Sequence, residues 1–167
     1  SLNRQLWGGI STITSYYRFS DLDEAQLRRL NEWVGRCSTL LAGGHQVADI
    51  AVLYPIESLW PRFVPARHGA TDVPEIRRIE TLLREVRTAL YRADRDFAFV
   101  DARALAEAKV EGDALVHGSL RWRVVVLPGA DTLPVAAWEN LAAFRRGGGV
   151  VVSVGARPAN AHHRDRP

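Results

Sequence analysis

A nearly continuous run of apolar residues, VADIAVLY at residues 47–54, most narrows the folds open to this chain. The run follows Gly43 and Gly44 and ends at Pro55. A strand with one face in solvent alternates apolar and polar residues, whereas a central strand of a parallel sheet is covered on both faces and does not alternate. The run therefore predicts a buried parallel strand at the start of an α/β domain.

An amphipathic helix is predicted before this strand, over residues 21–41. Apolar residues recur there at helical spacing, and charged residues occupy the other side. Asp21 and Glu24 fit a capping box at the start, and Gly43 with Gly44 supplies the left-handed stop that helix ends favour. Cys37 falls on the apolar side, which favours a small buried hydrophobe over a reactive thiol.

The rest of the chain alternates predicted strands and helices. Asp72 and Pro74 introduce one long helix, and Thr132 and Pro134 introduce another that ends at the glycines of residues 147–149. The pattern predicts strands at 96–100, 123–127 and 150–154, a short helix at 102–108 and an extended turn-back at 114–120. This order is typical of a doubly wound parallel sheet with flanking helices, here of about four strands. The polar residues 156–167 predict a disordered tail.

Composition excludes several classes of protein. The 167 residues carry a net charge of +3, and 25% of them are charged, as in ordinary globular domains. The arginines lie among acidic residues and not in one basic patch, which argues against a nucleic-acid partner. No apolar run is long enough to cross a bilayer, so no membrane partner is predicted. The single cysteine, Cys37, excludes an internal disulfide.

The predicted strand ends lack the usual signatures of catalysis, although an open parallel sheet binds its ligands there. The loop PIESLW after the first strand is bulky, whereas a phosphate loop needs small residues that expose backbone N–H groups. Asp101 stands alone, so the acidic cluster of a phosphoacceptor domain is missing. Cys37 is not at the strand-to-helix turn where an amidotransferase carries its nucleophile. The histidines lack metal-ligand spacing, and neither a cofactor nor a metal is predicted.

Two groups of residues are candidates for substrate binding. Trp7, Tyr16 and Tyr17 alternate with hydroxyl side chains, and such a segment can stack on the C–H face of a sugar and hydrogen bond its hydroxyls. Ordinary core packing is the competing interpretation. Glu57 and Trp60, in the loop after the first strand, form the second group, and a solvated loop carboxylate competes there.

The order of these pieces resembles a junction found in large glycoside hydrolases. The segments WGGISTITSYYRF, LRRLNEWVGRCSTLLAGG and HQVADIAVLYPIESLW look like the end of a (β/α)8 catalytic barrel that passes into a flavodoxin-like, class I amidotransferase-like domain. The later segment RWRVVVLPGADTLPVAAWENLAAFRRGGGVVVSVG is similar to the third strand, helix and fourth strand of the same domain. The likeness is to the α-L-rhamnosidase-like hydrolases of family 106, with the family 42 β-galactosidases as an architectural parallel.

This resemblance implies a division of the chain and a role for it. Residues 1–44 would be the end of the barrel with its closing helix, residues 45–156 the accessory α/β domain, and residues 157–167 the tail. Such enzymes cleave glycosidic bonds with two carboxyl groups on barrel strands. No residue of this sequence matches either carboxylate, so no catalytic residue is predicted and the isolated chain is expected to be inactive. The carbohydrate substrate would reach the protein through the preceding barrel.

Two other hypotheses stay open. One is a noncatalytic α/β interaction or oligomerisation domain, for which self-association is the expected partnership. The other is an independent flavodoxin-like protein that binds a flavin or a nucleotide. The second would require a ligand site at the strand ends, which the loop sequences do not favour.

Overall fold

The computed structural model describes Ile13 and residues 19–64, 72–155 and 157–162. The chain divides into two compact units between Gln46 and Val47, and each is described by itself. The assignment of residues 1–44 to the end of a barrel stays a prediction. Within the described ranges, no helix combines the length and the apolar character that crossing a membrane requires.

Helix α1, Glu24–Leu41, is the main element described in the first unit. Oδ1 of Asp23 accepts a hydrogen bond from the N–H of Gln26 at 2.8 Å, and Oε1 of Gln26 accepts one from the N–H of Asp23 at 3.0 Å. These reciprocal bonds form a capping box. The prediction that Asp21 and Glu24 form it is wrong, because Gln26 serves as its third helical residue.

The end of α1 follows the prediction, whereas its burial does not. Gly43 has a φ of 74°, the left-handed conformation expected after a helix. The N–H of Gly44 donates to the carbonyl of Leu41 at 3.1 Å. Cys37 is only partly buried, and no side chain of α1 is fully buried. Helix α1 is therefore amphipathic in sequence, but the described residues of its unit do not cover its apolar side completely.

The second unit alternates strands and helices. In chain order its elements are β1 (Ile50–Leu53), α2 (Ile56–Leu59), a 3-10 turn (Trp60–Arg62), α3 (Pro74–Arg92), β2 (Phe97–Val100), α4 (Ala102–Glu107), β3 (Lys109–Glu111), β4 (Ala114–His117), β5 (Leu120–Trp122), β6 (Val124–Pro128), β7 (Thr132–Pro134), α5 (Val135–Arg146), β8 (Val150–Val154) and β9 (Asn160–His162). Four strands form a parallel sheet in the order β2-β1-β6-β8. The predicted α/β fold is confirmed, and this order is compatible with a flavodoxin-like arrangement.

The main core lies on one face of the parallel sheet. Ala51, Leu53 and Val125 pack there against side chains of α4 and α5, including the fully buried Phe144. The opposite face, which carries Val52, is covered by α3. The strand β1 is thus covered on both sides, as its unbroken apolar run predicts.

Helix α3 alone does not cover its face of the sheet. The strand register pairs Phe99 with Val52 and Val152 with Val126, so these residues share the α3 face. Phe99 is 50% exposed and Val152 is 39% exposed. Apolar surface therefore remains open near both edges of this face, on β2 and on β8.

A small antiparallel sheet, β3-β4-β5, follows α4. The extended turn-back predicted around Gly118 is present, with His117 paired to Leu120. The sequence patterns do not predict strand β3, because it is short and two of its three residues are charged and exposed. Trp122, at the end of β5, is only 1% exposed and joins this small sheet to the main core.

The predicted disordered tail is corrected in part. Strand β9 pairs in parallel with β7, and the N–H groups of Ala159 and Asn160 both donate to the carbonyl of Asp131 at 2.9 Å. These backbone hydrogen bonds place residues 160–162 in a strand despite their polar composition. Residues 163–167 lie outside the described part of the chain.

Candidate functional site

The carboxyl ends of β1 and β6 form the topological switch point of the parallel sheet. The chain leaves β1 toward α3 on one face and leaves β6 toward α5 on the other face. A crevice opens between two such connections, and ligands of flavodoxin-like proteins bind in it. The residues that follow these two strands therefore decide whether the domain has a ligand site there.

Ser58 occupies this switch point. Pro55 ends β1, and the single turn of α2 then buries Ser58 completely. Its Oγ accepts hydrogen bonds from the backbone N–H of Asp131 at 3.1 Å and of Thr132 at 3.2 Å. One hydroxyl thus joins the loop after β1 to the loop after β6.

Arg62 and Asp131 close the same crevice. Nη2 of Arg62 lies 2.6 Å from Oδ2 of Asp131, and Nη1 donates to the carbonyl of Ser58 at 2.5 Å. The hydroxyl of Thr132 donates to Oδ1 of Asp131 at 2.9 Å. Ser58, Arg62, Asp131 and Thr132 are called the switch-point clamp below.

The charge state of Asp131 follows from these contacts. Burial alone raises the pKa of this carboxyl, but hydrogen bonds with Thr132 and Ser58 and the charge of Arg62 outweigh it. The pKa of Asp131 therefore lies below its ordinary value, and the carboxylate is ionised at neutral pH. The clamp is a charged and hydrogen-bonded bridge.

The clamp leaves little for a phosphate or a nucleophile to use. A phosphate site at a strand end offers free backbone N–H groups, whereas those of Asp131 and Thr132 already donate to Ser58. Within the described ranges, no group of three or more His, Cys, Asp or Glu side chains is placed to hold a metal ion. The switch point is closed by the side chains of the protein itself.

Asp131→Asn is expected to lower the free energy of unfolding at neutral pH, because an amide cannot replace the ionised partner of Arg62. The folded-state pKa is depressed, so the carboxylate stabilises the fold above about pH 4 and loses this contribution as the pH falls through the folded pKa. Urea unfolding of both proteins from about pH 3 to pH 7 should show a difference that shrinks in acid. A difference independent of pH would contradict an ionised clamp.

A small cleft lies beside the clamp, on the α3 side, and is called the α3 cleft below. Its volume is about 160 Å³. Its lining comes from α3, the 3-10 turn and the loops after β6 and β8: Arg62, Glu75, Arg78, Ile79, Leu82, Gly129, Asp131 and Gly155. It is thus a concave surface at the carboxyl edge of the sheet that the clamp does not fill.

A larger depression of about 510 Å³ is found on α1. Its described lining, from Glu32 to Leu40, belongs to that one helix. Size alone would favour it, but a site needs convergent groups from several elements, and the α3 cleft has them.

A second polar cluster lies near the small antiparallel sheet. Nε of Arg103 donates to Oε1 of Glu107 at 2.7 Å, and Nε2 of His117 lies 3.6 Å from Oε2 of the same carboxylate. The hydrogen bond and the charge of Arg103 lower the pKa of Glu107. The ring of His117 also stacks on Trp122. Because these charged groups are exposed, their ion pairs contribute little to the free energy of unfolding.

The predicted substrate-binding residues meet different outcomes. Trp7, Tyr16 and Tyr17 lie outside the described residues, so their role stays a prediction. Glu57 is half-buried on α2 with its Oε2 shielded from solvent, whereas Trp60 is 71% exposed. Their contact with a sugar stays a prediction.

Sequence reasoning missed the clamp. Ser58 and Arg62 belong to the same loop as Glu57 and Trp60, but the bulk of that loop suggested only that it could not cradle a phosphate. The structure shows that Ser58 is buried, and a buried hydroxyl needs a hydrogen-bond partner, but the sequence does not reveal that burial. Its partners lie 73 and 74 residues away in sequence.

The fold and the clamp together define a parallel α/β domain with a flavodoxin-like arrangement and a closed switch point. No protein-family model matches the chain, and no curated protein matches it. Among solved structures, the chain is similar to the crystal structure of a β-galactosidase from Bifidobacterium adolescentis, with 22% identity and a TM-score of 0.48. The match covers 72% of this chain and 47% of that chain, so it spans about half of the matched structure. A likeness of this degree assigns no activity.

Proposed function

We propose that this chain serves as a noncatalytic accessory α/β domain, with the end of a barrel before it, in a glycoside hydrolase. The observation that carries this proposal is the closed switch point. The crevice that holds the ligand in flavodoxin-like proteins is filled here by Ser58, Arg62 and Asp131. A domain whose own side chains fill its ligand crevice is suited to supporting a catalytic domain or contacting another protein, and not to catalysing a reaction.

The class of the parent enzyme rests on the sequence resemblance. The segments on both sides of the first strand resemble the barrel-to-accessory junction of α-L-rhamnosidase-like hydrolases. On this proposal the two carboxyl groups of the reaction belong to a barrel that precedes the chain, and Trp7, Tyr16 and Tyr17 line its sugar pocket. Glu57 and Trp60 are proposed as further substrate-binding candidates within the accessory domain.

The test is hydrolysis of an aryl α-L-rhamnoside and an aryl β-D-galactoside by the purified 167-residue chain. No release of the aryl group above the buffer rate is expected, because the two carboxyl groups of the reaction are proposed to lie on the preceding barrel. Glu57→Gln serves as the matched variant, since Glu57 is the candidate carboxylate of this chain. Hydrolysis that Glu57→Gln abolishes would contradict a noncatalytic role and place the catalysis in this domain.

A second candidate function is a domain for protein interaction or self-association. It is favoured by the open apolar surface on the α3 face, at Phe99 on β2 and at Val150 and Val152 on β8. Sedimentation velocity on the same preparation distinguishes the candidates. Self-association that Val152→Lys abolishes and Ser153→Lys leaves intact would favour this second function, because Ser153 lies on the same strand.

A further inference from the structure

We infer that the α3 cleft binds a small, neutral, hydroxyl-rich ligand of single-ring size, namely a monosaccharide. The cleft lies at the carboxyl edge of the parallel sheet, the edge where α/β proteins hold their ligands. It lies beside the crevice that the switch-point clamp fills, and it shares Arg62 and Asp131 with that clamp. The inference does not depend on the glycosidase assignment, because it rests on the walls of the cleft.

Two glycines shape one wall. Gly129 and Gly155 have φ values of 63° and 80°, which side-chain-bearing residues adopt only with strain. A Cβ on Gly155 would lie 2.4 Å from Cδ1 of Leu82. The absence of side chains lets the loops after β6 and β8 approach α3 and leaves their backbone beside the cleft.

The charges around the cleft balance. Arg62 and Asp131 neutralise each other, while Arg78 and Glu75 on α3 are exposed and have no ion-pair partner in the described part of the chain. One free guanidinium and one free carboxylate suit a ligand that both accepts and donates hydrogen bonds, as a sugar hydroxyl does. Without a net positive charge, the cleft disfavours a phosphate.

The floor and the size of the cleft fit the same ligand. Ile79 and Leu82 supply an apolar surface below the charged rim, on which the C–H groups of a sugar ring can lie. The volume of about 160 Å³ is below the roughly 300–1,000 Å³ of pockets for drug-sized molecules and too small for a nucleotide. Arg62 uses two of its five donors in the clamp, so it can still donate to a hydroxyl.

Titration of the ¹⁵N-labelled 167-residue protein with D-galactose, with L-rhamnose and with inorganic phosphate tests this inference by NMR. At least one sugar should shift the amide signals of Gly129 and Gly155 in a saturable manner, and phosphate should not. Arg78→Ala and Glu75→Gln should each raise the Kd for that sugar about tenfold, since a hydrogen bond to a charged group is lost.

Arg87→Ala is the matched control, because Arg87 is an exposed arginine of the same helix and does not line the cleft. It should leave the Kd unchanged, and all three variants should keep the wild-type circular dichroism spectrum. The inference fails if neither sugar gives saturable shifts, or if phosphate binds more tightly than both sugars. It also fails if Arg78→Ala, while folded, binds as the wild type does.

Discussion

Trp122→Ala is expected to lower the free energy of unfolding by about 3–5 kcal/mol. Trp122 is 1% exposed and packs in the main core, where it joins the small antiparallel sheet to the parallel sheet. Its removal leaves a cavity that the surrounding strands cannot fill without moving. Urea unfolding followed by far-ultraviolet circular dichroism measures the loss without relying on tryptophan fluorescence.

Two further substitutions separate packing from other effects of losing an indole. Trp60→Ala should change the free energy of unfolding by no more than about 0.5 kcal/mol, because Trp60 is 71% exposed. Trp122→Phe should cost far less than Trp122→Ala, since Nε1 of Trp122 is buried without a hydrogen-bond partner in the described structure. Equal losses for Trp122→Ala and Trp60→Ala would contradict the placement of Trp122 in the core.

Ser58→Ala is expected to lower the free energy of unfolding by about 2–4 kcal/mol, although it removes a single oxygen atom. The backbone N–H groups of Asp131 and Thr132 both lose their acceptor, and a methyl group cannot replace it. Urea unfolding at neutral pH measures the loss. Ser153→Ala, at an exposed serine of β8, is the control and should cost no more than about 0.5 kcal/mol. Similar losses for the two variants would contradict the clamp.

The central strands could be predicted because burial on both faces leaves a local mark. The apolar runs that contain β1 and β6 lack the alternation of half-exposed strands, and both strands are covered on both sides. Helix α3 likewise begins at Pro74, as expected of a residue that fits the first helical turn. These elements depend on forces that act within a short stretch of sequence.

The missed features depend on contacts between distant parts of the chain. Strand β9 exists because its backbone bonds to the loop after β6 and to β7, and no apolar pattern marks it. The predicted capping box lies two residues too early in the chain. Asp21 with Glu24 and Asp23 with Gln26 both fit the motif, and the structure uses the second pair. Only the geometry of the helix start distinguishes them.

The candidate site likewise combines a part that the local sequence predicts with a part that depends on contacts between distant residues. The sequence directed attention to the loop after β1, which does carry half of the clamp. It singled out Glu57 and Trp60 in place of Ser58 and Arg62, because a large aromatic residue and an isolated acid are conspicuous and a serine is not. The importance of Ser58 comes from its complete burial and from two N–H groups after β6, and neither is visible in the sequence.

Hydrogen exchange at the amides of Asp131 and Thr132, followed by NMR in the native protein, tests whether the switch point is closed. Both amides should exchange far more slowly than exposed amides, because each donates to Oγ of Ser58. Ser58→Ala should accelerate both, and flavin mononucleotide should not protect them further in the wild type. Rapid exchange in the wild type that flavin mononucleotide slows would show an open ligand site and contradict the closed switch point.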